Sequence, residues 1–204
     1  MSKGSVIIVS GPSGTGKGTI VERIMEQRKD LFLSISCTTR APREGEVPGK
    51  NYYYISREEF EKRKNENFFL EYAEYVNNCY GTPMAPVLEA IEKGLSTVLE
   101  IEVNGALEAK KRYPDAVMIF VLPPSMSELR RRLENRDAGN PVALAAIDGR
   151  IAKAMEEMEH IGEYDYVVVN DVLEDAVNLT NAIITAATAE VKNNKEEIEK
   201  VKNS

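Results

Sequence analysis

The residues from Gly11 to Lys17 (Gly-Pro-Ser-Gly-Thr-Gly-Lys) fit G-x-x-x-x-G-K, the start of the phosphate-loop pattern. Glycines at Gly11, Gly14 and Gly16 let successive backbone N–H groups converge, which makes a concavity suited to an anion. A helix opening directly afterwards adds its positive N-terminal end. Lys17 is long enough to reach outer phosphates as a mobile point charge. The strict pattern asks for a hydroxyl straight after the lysine. Here Gly18 stands in that place and Thr19 brings the hydroxyl one position late. Read by itself, the stretch from Gly11 through Pro12, Ser13, Gly14, Thr15 and Gly16 is either a phosphate cradle or a glycine-rich turn beside an exposed lysine.

Three further groups can do chemistry. Arg40, Arg43 and Lys50 share one segment with the hydroxyls of Ser36, Thr38 and Thr39. Two arginines three apart can hold a second phosphate bidentately, with Tyr52 and Tyr80 as phenolic donors. The alternative is a solvated basic loop. Glu71 ends an apolar run, and Glu100 and Glu102 end another. Carboxylates in such places are costly without a partner, so each either pairs with a lysine or serves a ligand. A carboxylate only accepts, which suits an edge of adjacent N–H donors such as guanine N1–H and N2–H₂. Arg130, Arg131, Arg132, Arg136 and Arg150 surround the break at 137–141. Arg132 and Arg136 are spaced i, i+4 and share a helical face, so some of this set can close over phosphates while the rest meet solvent. The single histidine, His160, lies among acidic residues, which leaves no Ser-His-Asp triad and no histidine metal cluster. Whatever is catalysed must work by positioning and charge, as phosphoryl transfer does.

The elements that must position these groups follow from apolar patterning. Ser5 to Ser10 is a near-continuous apolar run, the mark of a strand buried on both faces of a parallel sheet. A helix over about Gly18 to Lys29 turns Ile20, Val21, Ile24 and Met25 inward. Leu31 to Ser36 reads as strand and 37–50 as loop. Strands are predicted at 51–55 and 68–76, a helix after the capping box Ser56-x-x-Glu59, and another from Gly81-Thr82-Pro83 to Lys93. Section 37–86 interrupts the rhythm and reads as an inserted subdomain. Strands at 96–101, 116–122 and 166–169 then alternate with helices at 105–112, 126–135 (capped by Ser125-x-x-Glu128) and from 173. A long helix is predicted from the break to about Gly162, and Lys192 to Ser204 reads as a solvated, fraying end. Alternation of this kind implies a parallel sheet with helices on both faces. Ligands then bind beyond the carboxyl ends of the strands.

The whole chain narrows the class. It has 204 residues, 43% hydrophobic and 29% charged, with a formal net charge of −7. That balance argues against a nucleic-acid coat or an anionic-membrane binder. Two cysteines, Cys37 and Cys79, are too few for a disulfide framework. The N-terminus runs straight into the first strand and no apolar run approaches a bilayer span, so the expected location is the cytoplasm.

Taken together these residues resemble guanylate kinase, a nucleoside monophosphate kinase family, in its bacterial form. The segments that carry the resemblance are 10–19, Ser-Cys-Thr-Thr-Arg-Ala-Pro-Arg at 36–43, Glu-Tyr-Ala-Glu-Tyr at 71–75, Tyr-Gly-Thr-Pro at 80–83, Leu-Glu-Ile-Glu at 99–102 and Val-Val-Val-Asn-Asp at 167–171. The resemblance implies an α/β fold: a phosphate-loop core (1–36, 87–128, 156–204) with a parallel sheet flanked by helices, a GMP-binding subdomain (37–86) and a helical lid (about 129–155). It implies transfer of the ATP γ-phosphoryl group to GMP with Mg²⁺, and dGMP as a further acceptor. Ser36, Glu71, Thr82 and Glu102 match guanine contacts. Arg40, Arg43, Tyr52 and Tyr80 match contacts to the GMP phosphate. Lys17, Arg132, Arg136 and Arg150 match groups on the transferred phosphoryl, Asn170 a contact near adenine, and Thr19 and Glu100 the metal's surroundings. Two places depart from the family pattern. The lid usually reads Arg-Gly-Thr-Glu, and here it is Arg136-Asp137-Ala138-Gly139-Asn140; Cys79 replaces a usual tyrosine. Two rivals remain: a kinase of the same core acting on a ribose bisphosphate, and a non-catalytic binding module.

Overall fold

The computed structural model describes residues 4–43, 45–75 and 77–204. Expectations for residues 1–3, for Glu44 in the basic loop and for Val76 at a strand end lie outside those residues.

Five strands form one parallel sheet: β1 (Val6–Ser10), β2 (Leu31–Leu33), β7 (Ser96–Glu100), β8 (Val117–Leu122) and β9 (Tyr166–Val169), ordered β2-β7-β1-β8-β9. Every residue of β1 is buried, as its unbroken apolar run requires of a central strand. Successive side chains point to opposite faces. Ile7 and Val9 therefore enter a core shared with α1 (Lys17–Gln27) and α8 (Leu173–Thr188). Val6 and Ile8 enter the opposite core, formed with α3 (Met84–Glu92) and α4 (Val103–Arg112). Val9 pairs with Glu100 and Ser10 with Phe120, so Gly11, Glu100 and the end of β8 share one edge.

A second, mixed sheet comes from the segment inserted in sequence between β2 and β7. It is ordered β4-β3-β6-β5, from β3 (Cys37–Thr38), β4 (Tyr53–Tyr54), β5 (Phe69–Tyr75) and β6 (Asn78–Pro83). The helix α2 (Arg57–Asn65) packs Phe60 onto Phe69 at 4.5 Å between ring centroids, over Cys37 and Cys79. Ser56 Oγ accepts the Glu59 N–H at 3.1 Å, the cap its sequence predicts. Two segments differ from expectation. The loop at 37–50 begins with a two-residue strand, and Gly81-Thr82-Pro83, the lead-in to the expected helix, is itself strand, with the helix starting at Met84. Tertiary contact decides both. Cys37 and Thr38 pair with Gly81 and Tyr80, and a Cβ at Gly81 would sit 2.9 Å from the Phe69 ring. Gly81 is therefore a packing glycine inside a strand.

After β8, α5 (Met126–Arg136) is capped by Ser125 Oγ, which accepts from Glu128 N–H at 3.1 Å. The long helix expected after the break is three pieces: α6 (Pro141–Ala145), α7 (Ile147–Met158) and a 3₁₀ turn over Glu159–Glu163. Asn140 caps α6 through Ala143 N–H at 3.1 Å. Leu129, Leu133, Ile147 and Ala154 bury one another in a small core separate from those on the main sheet. The C-terminal charge run is also more ordered than expected. A 3₁₀ turn at Val191–Asn193 leads into α9 (Lys195–Lys202), held by Asn194 Nδ2 on the Thr188 and Glu190 carbonyls.

Candidate functional site

The glycine loop sits at the carboxyl end of β1 and runs into α1. Its shape depends on backbone that side chains disfavour. Gly14 has φ 94° and Gly16 φ 92°, in the left-handed region where a Cβ is penalised. A Cβ on Gly16 would lie 2.3 Å from Asn170 Nδ2, and one on Gly14 2.7 Å from Leu133. Both glycines let neighbouring elements close on the loop. Asn170, only 6% exposed at the end of β9, donates its amide to the Thr15 carbonyl at 2.8 Å. The residue expected near adenine thus braces the cradle directly. Lys17 is buried, with its ammonium donating to the Gly11 carbonyl and, at 3.0 Å, to the Pro12 carbonyl. Loop carbonyls hold it at the cradle.

Gly18 has a local reason as well. A Cβ there would lie 3.3 Å from Glu100 Oε1, so glycine lets that carboxylate approach the first turn of α1. Thr19 and Glu100 line one open cleft together with Ser36, Lys50 and Tyr52. Enclosure pushes the Glu100 carboxyl up, the Lys17 charge opposes this, and Glu102 adds to it.

Opposite the cradle stands Glu71. It is 3% exposed and pairs across the second sheet with Thr82. Thr82 donates to Oε1 twice, from its N–H at 3.1 Å and its hydroxyl at 2.6 Å. Ser36 Oγ lies 3.4 Å from the same hydroxyl. Burial raises the Glu71 carboxyl to about 7, and the two Thr82 bonds only partly offset that. A Cβ on Gly105 would meet Oε2 at 2.6 Å, so α4 offers bare backbone at that face. Glu102 begins α4 without capping it, and its Oε2 is buried with no hydrogen-bond partner. The lysine pairing kept open for Glu71, Glu100 and Glu102 is not found; none of them forms a salt bridge among the described residues.

One cavity of about 40 Å³ touches Lys17, Ser36, Tyr52, Glu71, Tyr80, Glu100, Glu102 and Gly105. The cradle and the buried carboxylate therefore open on the same cavity, a distance along the chain of more than fifty residues notwithstanding. Among the described residues no group of three or more His, Cys, Asp or Glu is placed to hold a metal by itself.

The basic loop is organised differently from a free clamp. Arg40 donates to both oxygens of Glu46, at 2.8 and 3.0 Å, and its guanidinium lies 5.5 Å from the Tyr52 ring centroid. Burial alone would push Glu46 up, but Arg40, the Arg43 N–H and the Tyr54 hydroxyl hold it at about 2. Arg40 is thus neutralised within its own loop, while Arg43 is exposed. Tyr52 and Tyr80 meet edge-on at 5.9 Å. Of the later arginines, Arg130 and Arg131 pair at the surface with Asp148 and Glu128. Three others reach the cradle. Arg132 donates to the Asn170 carbonyl at 3.0 Å and the Thr15 carbonyl at 3.4 Å. Arg136 and Arg150 reach Ser13 Oγ at 3.5 and 3.0 Å.

Sequence reasoning missed three residues here. Gly105 carries no local sign that a carboxylate packs against it. Asp137 reads in sequence only as part of a break and a departure from the lid pattern, with no role of its own. Glu157 hides in an acidic run, yet it is 5% exposed with Oε2 unpartnered. Burial raises its carboxyl to about 7, Glu102 adds to that, and Lys17 opposes it.

Comparison with known proteins places the chain in a family. The chain matches the family model described as guanylate kinase over residues 3–187. It is 46% identical to the guanylate kinase of Caldanaerobacter subterraneus over 194 residues, covering 95% of this chain and 93% of that one. It is 50% identical to that of Thermus thermophilus over 184 residues, covering 90% and 82%. Its fold superimposes on the crystal structure of guanylate kinase from Anaplasma phagocytophilum with a TM-score of 0.80 at 32% identity, covering 95% and 90% of the two chains. Membership follows from sequence and fold alike: the chain belongs to the guanylate kinase family.

Proposed function

We infer that this chain transfers the γ-phosphoryl group of ATP to GMP, giving ADP and GDP, with dGMP as a second acceptor. The observation that carries the reading is the cavity shared by Lys17 and Glu71. It puts a donor-phosphate cradle and an acceptor for N–H groups on one space. Glu71, oriented by Thr82, accepts from the guanine N1–H and N2–H₂, with Ser36 and Glu102 beside it. An adenine edge presents a bare acceptor there and is repelled. Arg43, Tyr52 and Tyr80 hold the acceptor phosphate, with Arg40 joining them from its pair with Glu46.

The acceptor phosphate is already an anion near neutral pH, so the attacking oxygen needs no general base. Lys17 leaves the Gly11 and Pro12 carbonyls for the moving phosphoryl group. Arg132, Arg136 and Arg150 lie on the other side of the same loop and neutralise charge as it shifts. Residues 129–155 act as the lid whose closure excludes water, so ATP is not simply hydrolysed. Thr19 and Glu100 fit Mg²⁺: one hydroxyl and one carboxylate beside a phosphate cradle are the few oxygen donors that ion takes from protein. When bound, it supplies charge neutralisation to the phosphates. Among the described residues no helix is long and apolar enough to cross a membrane.

The test is a coupled ADP-release assay with GMP, dGMP, AMP, CMP and UMP. We expect turnover with GMP and dGMP and little with the others. No turnover with GMP would overturn the reading, and turnover with a ribose bisphosphate would favour the rival kinase.

A further inference from the structure

Asp137 stands where α5 ends, its N–H still donating to the Leu133 carbonyl at 3.1 Å. Its side chain is 15% exposed and faces two guanidinium groups from two helices. Oδ1 accepts from Arg136 Nε at 3.3 Å, and Oδ2 accepts from Arg150 Nη1. A second nitrogen of each guanidinium reaches one and the same atom, Ser13 Oγ in the glycine loop. The two arginines are therefore tied together at one end by a carboxylate and at the other by a cradle hydroxyl.

We propose that Asp137 is a positioning residue, which holds Arg136 and Arg150 as a pre-aligned pair over the phosphate cradle. The proposal rests on reading that cradle as the phosphoryl-transfer centre. Two cations brought to one hydroxyl repel each other, and a carboxylate between them removes that cost. A guanidinium has five N–H donors. Asp137 takes one from each arginine and Ser13 another, so donors remain on both for phosphate oxygens. The usual glycine of the lid pattern has no side chain to do this. The departure at 137 thus supplies an internal counter-charge that fixes the orientation of both arginines before ligand arrives.

The experiment compares Asp137→Ala and the near-isosteric Asp137→Asn, each in the wild-type background and in an Arg136→Met/Arg150→Met background. GMP phosphorylation by the unmodified chain, measured first, tests the functional reading separately. The variants are then read in two ways: steady-state kinetics, and titration with a fluorescent ATP analogue, which needs no turnover. We expect kcat to fall about tenfold or more, as misaligned positioning groups produce, with KM for GMP within about twofold. Analogue binding should weaken severalfold. Both losses should vanish in the arginine-free background, because Asp137 acts through those side chains. Wild-type kinetics and binding would overturn the proposal. So would a raised kcat, which would make Asp137 a competitor for the arginines. Equal losses with and without the arginines would mean a purely structural role, and full activity of Asp137→Asn would remove the charge from the explanation.

Discussion

Glu71 keeps its proton to about pH 7 because it is buried with only Thr82 donating to it. Its raised value has a definite sign. Between about 4.5, its ordinary value, and about 7, the folded chain holds a proton that the unfolded chain has released. Folding stability from this group is therefore full below that window, falls as pH rises through it, and is level above. In the proposed base-reading role the dependence runs the other way, since the ionised form would accept from guanine. We expect KM for GMP to be flat above about pH 7 and to rise as pH falls below it. Glu71→Gln should lose that rise and also erode the preference for GMP over AMP. The variant retains Glu157 and the titrating phosphate of GMP, so the difference between the two profiles isolates Glu71. Identical profiles and unchanged selectivity would remove Glu71 from base reading. Its chemistry was legible in sequence from its place after an apolar run. Its orientation was not, because Thr82 lies eleven residues away on another strand.

The glycine loop is set by its neighbours as much as by its own residues. Asn170 from β9 and Leu133 from α5 occupy the space that side chains at Gly16 and Gly14 would need. Gly16→Ala adds a left-handed penalty of roughly 1–2 kcal/mol to a clash with the Asn170 amide. ATP-analogue affinity should drop tenfold or more while the central sheet stays folded. Retained affinity in a titration would show that the brace between β9 and the loop is dispensable. Elements marked by local signals came through well: β1 by its apolar run, and α2 and α5 by Ser56 and Ser125 with a glutamate three residues on. The strand Asn78–Pro83 did not, since Gly81 and Pro83 are turn signals until Phe60 and Phe69 pack over the glycine.

At the scale of the whole chain, burial is unevenly shared. The main sheet has a core on each face. The second sheet and the α5–α7 helices rest on small separate clusters, and such units open at lower cost than the central one. The cavity of about 40 Å³ lies between the second sheet and the strand and helix ends at Lys17, Glu100 and Gly105. Hydrogen exchange should therefore be fast at 37–83 and 129–155, slow in β1 and β8, and slower in both outlying regions once GMP and an ATP analogue are added. Uniform exchange with no response to ligand would contradict this division.

By itself the sequence determined a glycine-rich loop between strand and helix, the alternating α/β order and the residue types available for the proposed site. These depend on local spacing, on backbone freedom at glycine and on the period of burial. Only the tertiary structure decided who partners whom. Arg40 belongs to Glu46, Lys17 to loop carbonyls, Asn170 to Thr15, and Asp137 to two arginines. Charge and hydrogen-bonding capacity are written in the residue, but which opposite group lies within 3 Å depends on how distant segments pack, and no local pattern encodes that.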